Sequence, residues 1–177
     1  MKKIVFIFIA FFAILQACTK KEPTRTSGID TIDNTNHFST TYFQYGFSFS
    51  GAKLVATYPS PGPDITLFVT LDVTGTPKLT LQAENLLPSF YKVGDFADVT
   101  TAQSAFDNLK TVSVAQWKDM ADPILPNQVW IYRSGTAHYT KIRIVSTINE
   151  TRQTVAYGEC TFQWVYQPDG TSTFPGK

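Results

Sequence analysis

Asp64-Ile65-Thr66-Leu67-Phe68-Val69-Thr70-Leu71-Asp72-Val73 decides the fold class. Ile65, Leu67, Val69, Leu71 and Val73 alternate with Asp64, Thr66, Phe68, Thr70 and Asp72. Successive side chains of a strand point to opposite faces, so a period of two predicts a half-buried strand. Thr74-Gly75-Thr76-Pro77 then reads as a turn, and Lys78 to Ala83 follows with Leu79, Leu81 and Ala83 facing inward. The pair reads as a hairpin.

The same period recurs on both sides. In Thr41 to Ser50, Thr41, Phe43, Tyr45, Phe47 and Phe49 share one face. Leu54 to Tyr58 is a short second strand, closed by Pro59, Pro61, Gly62 and Pro63, which cannot join a central sheet. Asn127 to Arg133 and Ala137 to Thr147 flank a Ser134-Gly135 turn. Thr154 to Gln167 places Cys160, Phe162, Trp164 and Tyr166 on one face. Pro168-Asp169-Gly170 turns the chain, and Thr171 to Phe174 can pair back.

Only the middle departs from this rhythm. Thr100 and Gln103 have capping-box spacing, and Ala102, Ala105, Phe106 and Leu109 recur at helical spacing. A short helix is predicted from about Thr101 to Leu109. Ser113 and Gln116 repeat the capping pattern and predict a second helical turn over Val114 to Met120. The fold class is therefore all-β, with antiparallel sheets in a sandwich-like arrangement and one short helical insert.

The amino terminus is read for destination. Lys2 and Lys3 precede an unbroken apolar run, Ile4 to Leu15, and Leu15-Gln16-Ala17-Cys18 closes it. The run is shorter than the roughly 20 residues of a membrane-spanning helix and fits an export signal. The tetrapeptide resembles a bacterial lipobox, in which the cysteine thiol takes up a diacylglyceryl group and the chain is cut before it. Cys18 is thus the expected lipidation site, carrying palmitate-type acyl chains. Two or three chains make a stable anchor where one is marginal. Residues 1–17 are expected to be a lipoprotein signal peptide, 18–36 the lipidated cysteine and a flexible tether, and 37–177 a single β-rich domain. The tether is polar, with Pro23, Gly28 and several threonines. Within it Asp30-Thr31-Ile32 resembles a short bacterial O-glycosylation motif, although plain linker is the simpler reading.

Charge and chemistry exclude more than they assign. Removing Lys2 and Lys3 from the 15 basic residues leaves 13 against 14 acidic ones, so no basic field attracts nucleic acid. With Cys18 acylated, Cys160 has no partner for a disulfide and reads as a small buried hydrophobe. His37 and His138 are the only histidines and lie far apart, which is a poor start for a metal site. No Gly-x-Ser-x-Gly elbow and no phosphate-cradling glycine loop occurs. Three Asp-x-x-Asp pairs, Asp30/Asp33, Asp95/Asp98 and Asp119/Asp122, read as turn and helix-start residues rather than calcium ligands. No catalytic residue is assigned. Tyr42, Phe68 and Val165 interrupt otherwise polar faces and are expected to cover a second layer.

Three stretches carry a family resemblance: Asn127-Gln128-Val129-Trp130-Ile131-Tyr132-Arg133, Tyr139-Thr140-Lys141-Ile142-Arg143-Ile144, and Cys160-Thr161-Phe162-Gln163-Trp164-Val165-Tyr166-Gln167-Pro168-Asp169-Gly170. The region from about Asn108 to Phe174 resembles the C-terminal strands of HmuY-like lipoproteins of Bacteroidota. Those are all-β proteins anchored to the outer membrane or shed from it. The best-known ones capture haem between two axial side chains and pass it to an outer-membrane receptor. The resemblance implies an exported protein, lipid-anchored at the outer membrane on its periplasmic or cell-surface side. It would capture a small ligand or nutrient and work with a receptor or transporter. If haem is that ligand, the available side chains are His37, Met120 and His138, with His138 as the candidate, although His138 reads first as a strand-edge surface residue. The alternative is a non-catalytic structural or accessory lipoprotein docking to another envelope protein. A partly polar pocket between sheet and helix would favour capture. A flat aromatic face or an unpaired edge strand would favour docking.

Overall fold

Two antiparallel sheets absorb the alternating stretches. The computed structural model describes residues 24–38 and 42–175. In chain order the strands are β1 (Ser27–Asp33), β2 (Asn36–Phe38), β3 (Tyr42–Ser48), β4 (Lys53–Ala56), β5 (Ile65–Leu71), β6 (Pro77–Ala83) and β7 (Phe90–Asp95). The helix α1 (Val99–Asn108) follows, then β8 (Met120–Ala121), β9 (Gln128–Arg133), β10 (Tyr139–Arg152) and β11 (Val155–Gln167). One sheet runs β1-β11-β10-β9-β7; the other runs β2-β3-β5-β6-β8, with β4 on β3.

The inner faces meet as the alternation predicts. Phe47, Phe49, Ile65, Leu67, Leu79 and Leu81 of one sheet pack with Trp130, Tyr132, Ile142, Ile144, Phe162 and Trp164 of the other. Phe47 stands edge-on to both Phe162 and Trp164, with ring centroids 5.4 Å apart in each case. Such contacts add to the area they bury, by about 0.5–1.5 kcal/mol each. Cys160 is fully buried in this core, and burial pushes its thiol well above the ordinary range.

The helix lies over the outer face of the first sheet. Its N-cap is Asp98, whose carboxylate accepts the Thr101 amide at 2.8 Å, so the helix starts two residues before the expected box. Phe106 packs on Val129 and Val165, which is the second layer expected over Val165. Its C-terminal end is held from β10. Lys141, 4 % exposed, donates to the Phe106 carbonyl at 2.7 Å and the Leu109 carbonyl at 3.1 Å. A cation placed there satisfies orphan carbonyls and complements the helix dipole.

Several expectations are corrected. The tether does not extend to residue 36: Ser27–Asp33 is a strand paired with β11 from Ser27↔Val165 to Asp33↔Glu159. Its Ile32 is buried, and Thr31 of the expected glycosylation motif shares a hydrogen bond with Thr161 at 2.8 Å. The domain therefore starts about ten residues early, because β11 offers a ladder that a polar segment can join with a single buried anchor. Val114 to Met120 is not helical. It runs irregularly, bending at Ala115 and Asp119, with Lys118 bridged to Phe90 and Trp117 stacked on Tyr139 at 6.2 Å. Leu71 and Val73 face solvent. Thr173 pairs with Thr111 rather than folding back on β11.

Candidate functional site

The loop end of the sandwich gathers the polar chemistry. β11 finishes there beside the start of β10, β10 beside the end of β9, and β9 beside the start of β7. Tyr132, Thr140 and Tyr166 are register neighbours across these strands. From the other sheet Asp64, just before β5, meets them. Its Oδ2 accepts the Phe49 amide at 2.7 Å, and its Oδ1 faces the Tyr132 hydroxyl at 3.4 Å. Beside it, the Thr66 hydroxyl donates to Glu84 at 2.5 Å.

Electrostatics follow from burial. Desolvation raises the Asp64 carboxyl above its ordinary value, and the Phe49 amide, Tyr132 and the Ser48 and Ser50 loop pull it back. Burial first, and the nearby Asp64 charge second, push the Tyr132 and Tyr166 phenols up. Both phenols are thus protonated donors at neutral pH. Asp64 also opens outward. With Ser48, Ser50, Lys53, Val55, Pro61 and Gly62 it lines a cleft of about 480 Å³. That volume lies within the roughly 300–1,000 Å³ of small-molecule sites.

Two smaller hollows flank this end. One, of about 280 Å³, lies between Thr26–Ile29 and Gln163–Val165. The other, of about 210 Å³, is lined by Gln82, Ala83, Leu86, Leu87, Asp119 and Met120. The space between sheet and helix, where a partly polar pocket would favour capture, is filled by Phe106, Val129, Val165, Val93 and Phe96.

The sequence candidates scatter. His138 sits half-buried in the β9–β10 turn, its ring near-parallel to Tyr166 at 6.0 Å and its Nδ1 paired with the Thr136 hydroxyl at 2.9 Å. It lines none of the three clefts, whereas Met120 lines the smallest. The structure brings the two together in none of these three spaces. His37 lies in β2, and Cys18 with residues 1–17 lies outside the described residues.

Comparison with protein-family models and with curated proteins finds no match to this chain.

Five of the six paired aspartates hold structural partners, whereas Asp119 lines the smallest cleft. Asp30 accepts from Trp164 and Arg25, and Asp33 accepts the Thr35 amide. Asp95 holds Lys92 and Gln128, Asp98 caps α1, and Asp122 holds Lys78 and Thr80. Among the described residues no three of His, Cys, Asp and Glu cluster as a metal site would require. Asp64 is the residue that sequence reading missed. Its signal was the Pro61-Gly62-Pro63-Asp64 run, a stiff loop delivering a carboxylate to a strand start.

Proposed function

We propose that this chain is a lipid-anchored envelope protein whose β-sandwich captures a small polar ligand at the outer membrane. It is a binding protein rather than an enzyme. The lipobox at Leu15–Cys18 supports export and anchoring. The likeness of its C-terminal strands to HmuY-like lipoproteins supports capture followed by hand-over to a receptor or transporter.

Asp64 carries the ligand reading. A carboxylate held half-buried on the wall of an open, polar cleft is how recognition sites are commonly built. The Ser48 and Ser50 hydroxyls can donate or accept, Asp64 accepts, and Lys53 donates. This set suits a small molecule rich in hydroxyl or amino groups better than a large apolar macrocycle. The alternative, an accessory lipoprotein docking through strand addition, draws on β1 and β7, which end the five-stranded sheet.

Native mass spectrometry of protein purified from envelopes in mild detergent tests the capture reading. A co-purifying small molecule is expected, and it should be lost when Lys53→Ala and Ser50→Ala are combined without loss of thermal stability. A bare protein, or an adduct indifferent to both substitutions, would remove the cleft from the account.

A further inference from the structure

The start of β1 shortens the link between Cys18 and the folded domain. Arg25 is already fixed: its guanidinium donates to Asp30 at 2.6 Å and to the Ala52 carbonyl at 3.3 Å, and lies 5.5 Å from the Trp164 ring. The Thr26 carbonyl accepts the Tyr166 amide at 2.7 Å. The covalent path from Cys18 to Arg25 therefore spans at most about 25 Å when fully extended.

The end of the sandwich from which this link leaves is set by register. Ser27 pairs with Val165, Gln167 with Tyr139, Tyr139 with Arg133, and Tyr132 with Phe90. The β6–β7 loop enters β7 at that same end, and the β10–β11 hairpin tip projects from the other.

The β6–β7 loop presents apolar side chains to solvent there. Leu86 is 80 % exposed, Leu87 49 %, and Met120 beside them 43 %. The loop is pinned. Asn85 accepts the Leu87 amide at 2.9 Å and donates to Ser89, and Arg133 donates to the Pro88 carbonyl at 3.0 Å. Leu86 is held at φ +57°, a conformation that a branched side chain adopts at a cost. A rigid loop that spends strain to expose leucines is built to place them against something.

Resting on the anchored reading above, we propose that the occupant is the bilayer itself. The short link holds the loop end against the lipid, and Leu86, Leu87 and Met120 enter the interfacial layer. Lys118, whose carbonyl accepts the Ser89 and Phe90 amides, is exposed next to them and can meet lipid phosphates, whereas Asp119 lines the same hollow as the three apolar side chains and has to stay on its solvent side. The Asp64 cleft opens beside β4, on the other side of β5 and β6 from this patch.

The test uses the full acylated chain with Cys160→Ala, reconstituted in phosphatidylethanolamine–phosphatidylglycerol vesicles. Leu87→Cys and, separately, Val155→Cys at the far hairpin tip carry an environment-sensitive fluorophore. Lipids spin-labelled near the glycerol should quench the Leu87→Cys label at least threefold more than the Val155→Cys label. A ten-residue Gly-Ser spacer inserted after Lys20 should reduce that contrast. Equal quenching, or none while the protein still floats with the vesicles, overturns the orientation and leaves the anchor standing. Failure to float overturns both.

Discussion

The indole of Trp164 donates to Asp30 Oδ2 at 2.7 Å, tying the C-terminal part of β11 to the edge strand β1. Trp164 is fully buried, so its N–H has exchanged water for this one carboxylate. An unsatisfied buried donor costs about 1–3 kcal/mol. Asp30→Ala should therefore destabilise the domain by about that amount and alter tryptophan fluorescence, while Asp30→Asn, which keeps an acceptor, should cost less. Urea denaturation of both variants checks the order. Equal effects would mean that the hydrogen bond does not hold β1 in place.

Asp64 gives stability a distinctive pH dependence. Burial raises its folded-state pKa above the ordinary 3.8. A raised carboxyl contributes stability that is full below the unfolded value and is lost as pH rises through the folded value. The stability of the native chain relative to Asp64→Asn should therefore fall as the pH is raised from below the ordinary 3.8 toward neutrality. Asp72, Asp95, Asp98 and Asp169 behave oppositely, since hydrogen bonds lower their pKa values and their contributions are lost in acid. The comparison with Asp64→Asn cancels them. Denaturant midpoints for both chains across that range decide the matter, and a rising difference would contradict the assignment.

Lys141 supports α1 from a neighbouring strand. Lys141→Met keeps most of the stem but deletes the donors to Phe106 and Leu109. A loss of about 1–3 kcal/mol is expected, since buried helix carbonyls are left bare. Amide hydrogen exchange should speed up in Val99–Asn108 more than in β5 or β6. Uniform exchange across the chain would remove the capping role.

Cys160 should be inert in the folded protein. It is fully buried, and burial holds the thiol in its neutral, unreactive form. In a Cys18→Ser chain, a thiol-specific reagent should modify Cys160 only once denaturant is added. Rapid modification under native conditions would show that β11 opens far more readily than its packing implies.

The long strands were legible because each buries one face. Ile65 and Leu67, Leu79 and Leu81, Phe162 and Trp164 all fall inward as their alternation requires. β1 was hidden because Ser27–Asp33 buries only Ile32 fully and takes its place from the ladder of β11, a partner more than a hundred residues away. β7 was passed over because Lys92, Gly94 and a register shift interrupt its period. The second helical turn failed because its residues find partners outside the segment: Trp117 packs against Tyr139 and Arg133, and Lys118 is bridged to Phe90. The candidate site was the least legible part. Asp64 gains its environment from Phe49 and Tyr132, and no local pattern announces that meeting.

The anchored, ligand-capturing role depends most on what is attached to residue 18. Intact mass and N-terminal peptide mapping of protein extracted from envelopes should show a chain that begins at Cys18 and carries a diacylglyceryl group, with that lipid mass absent after Cys18→Ser. A chain that still begins at Met1 with an unmodified thiol at Cys18 would contradict it.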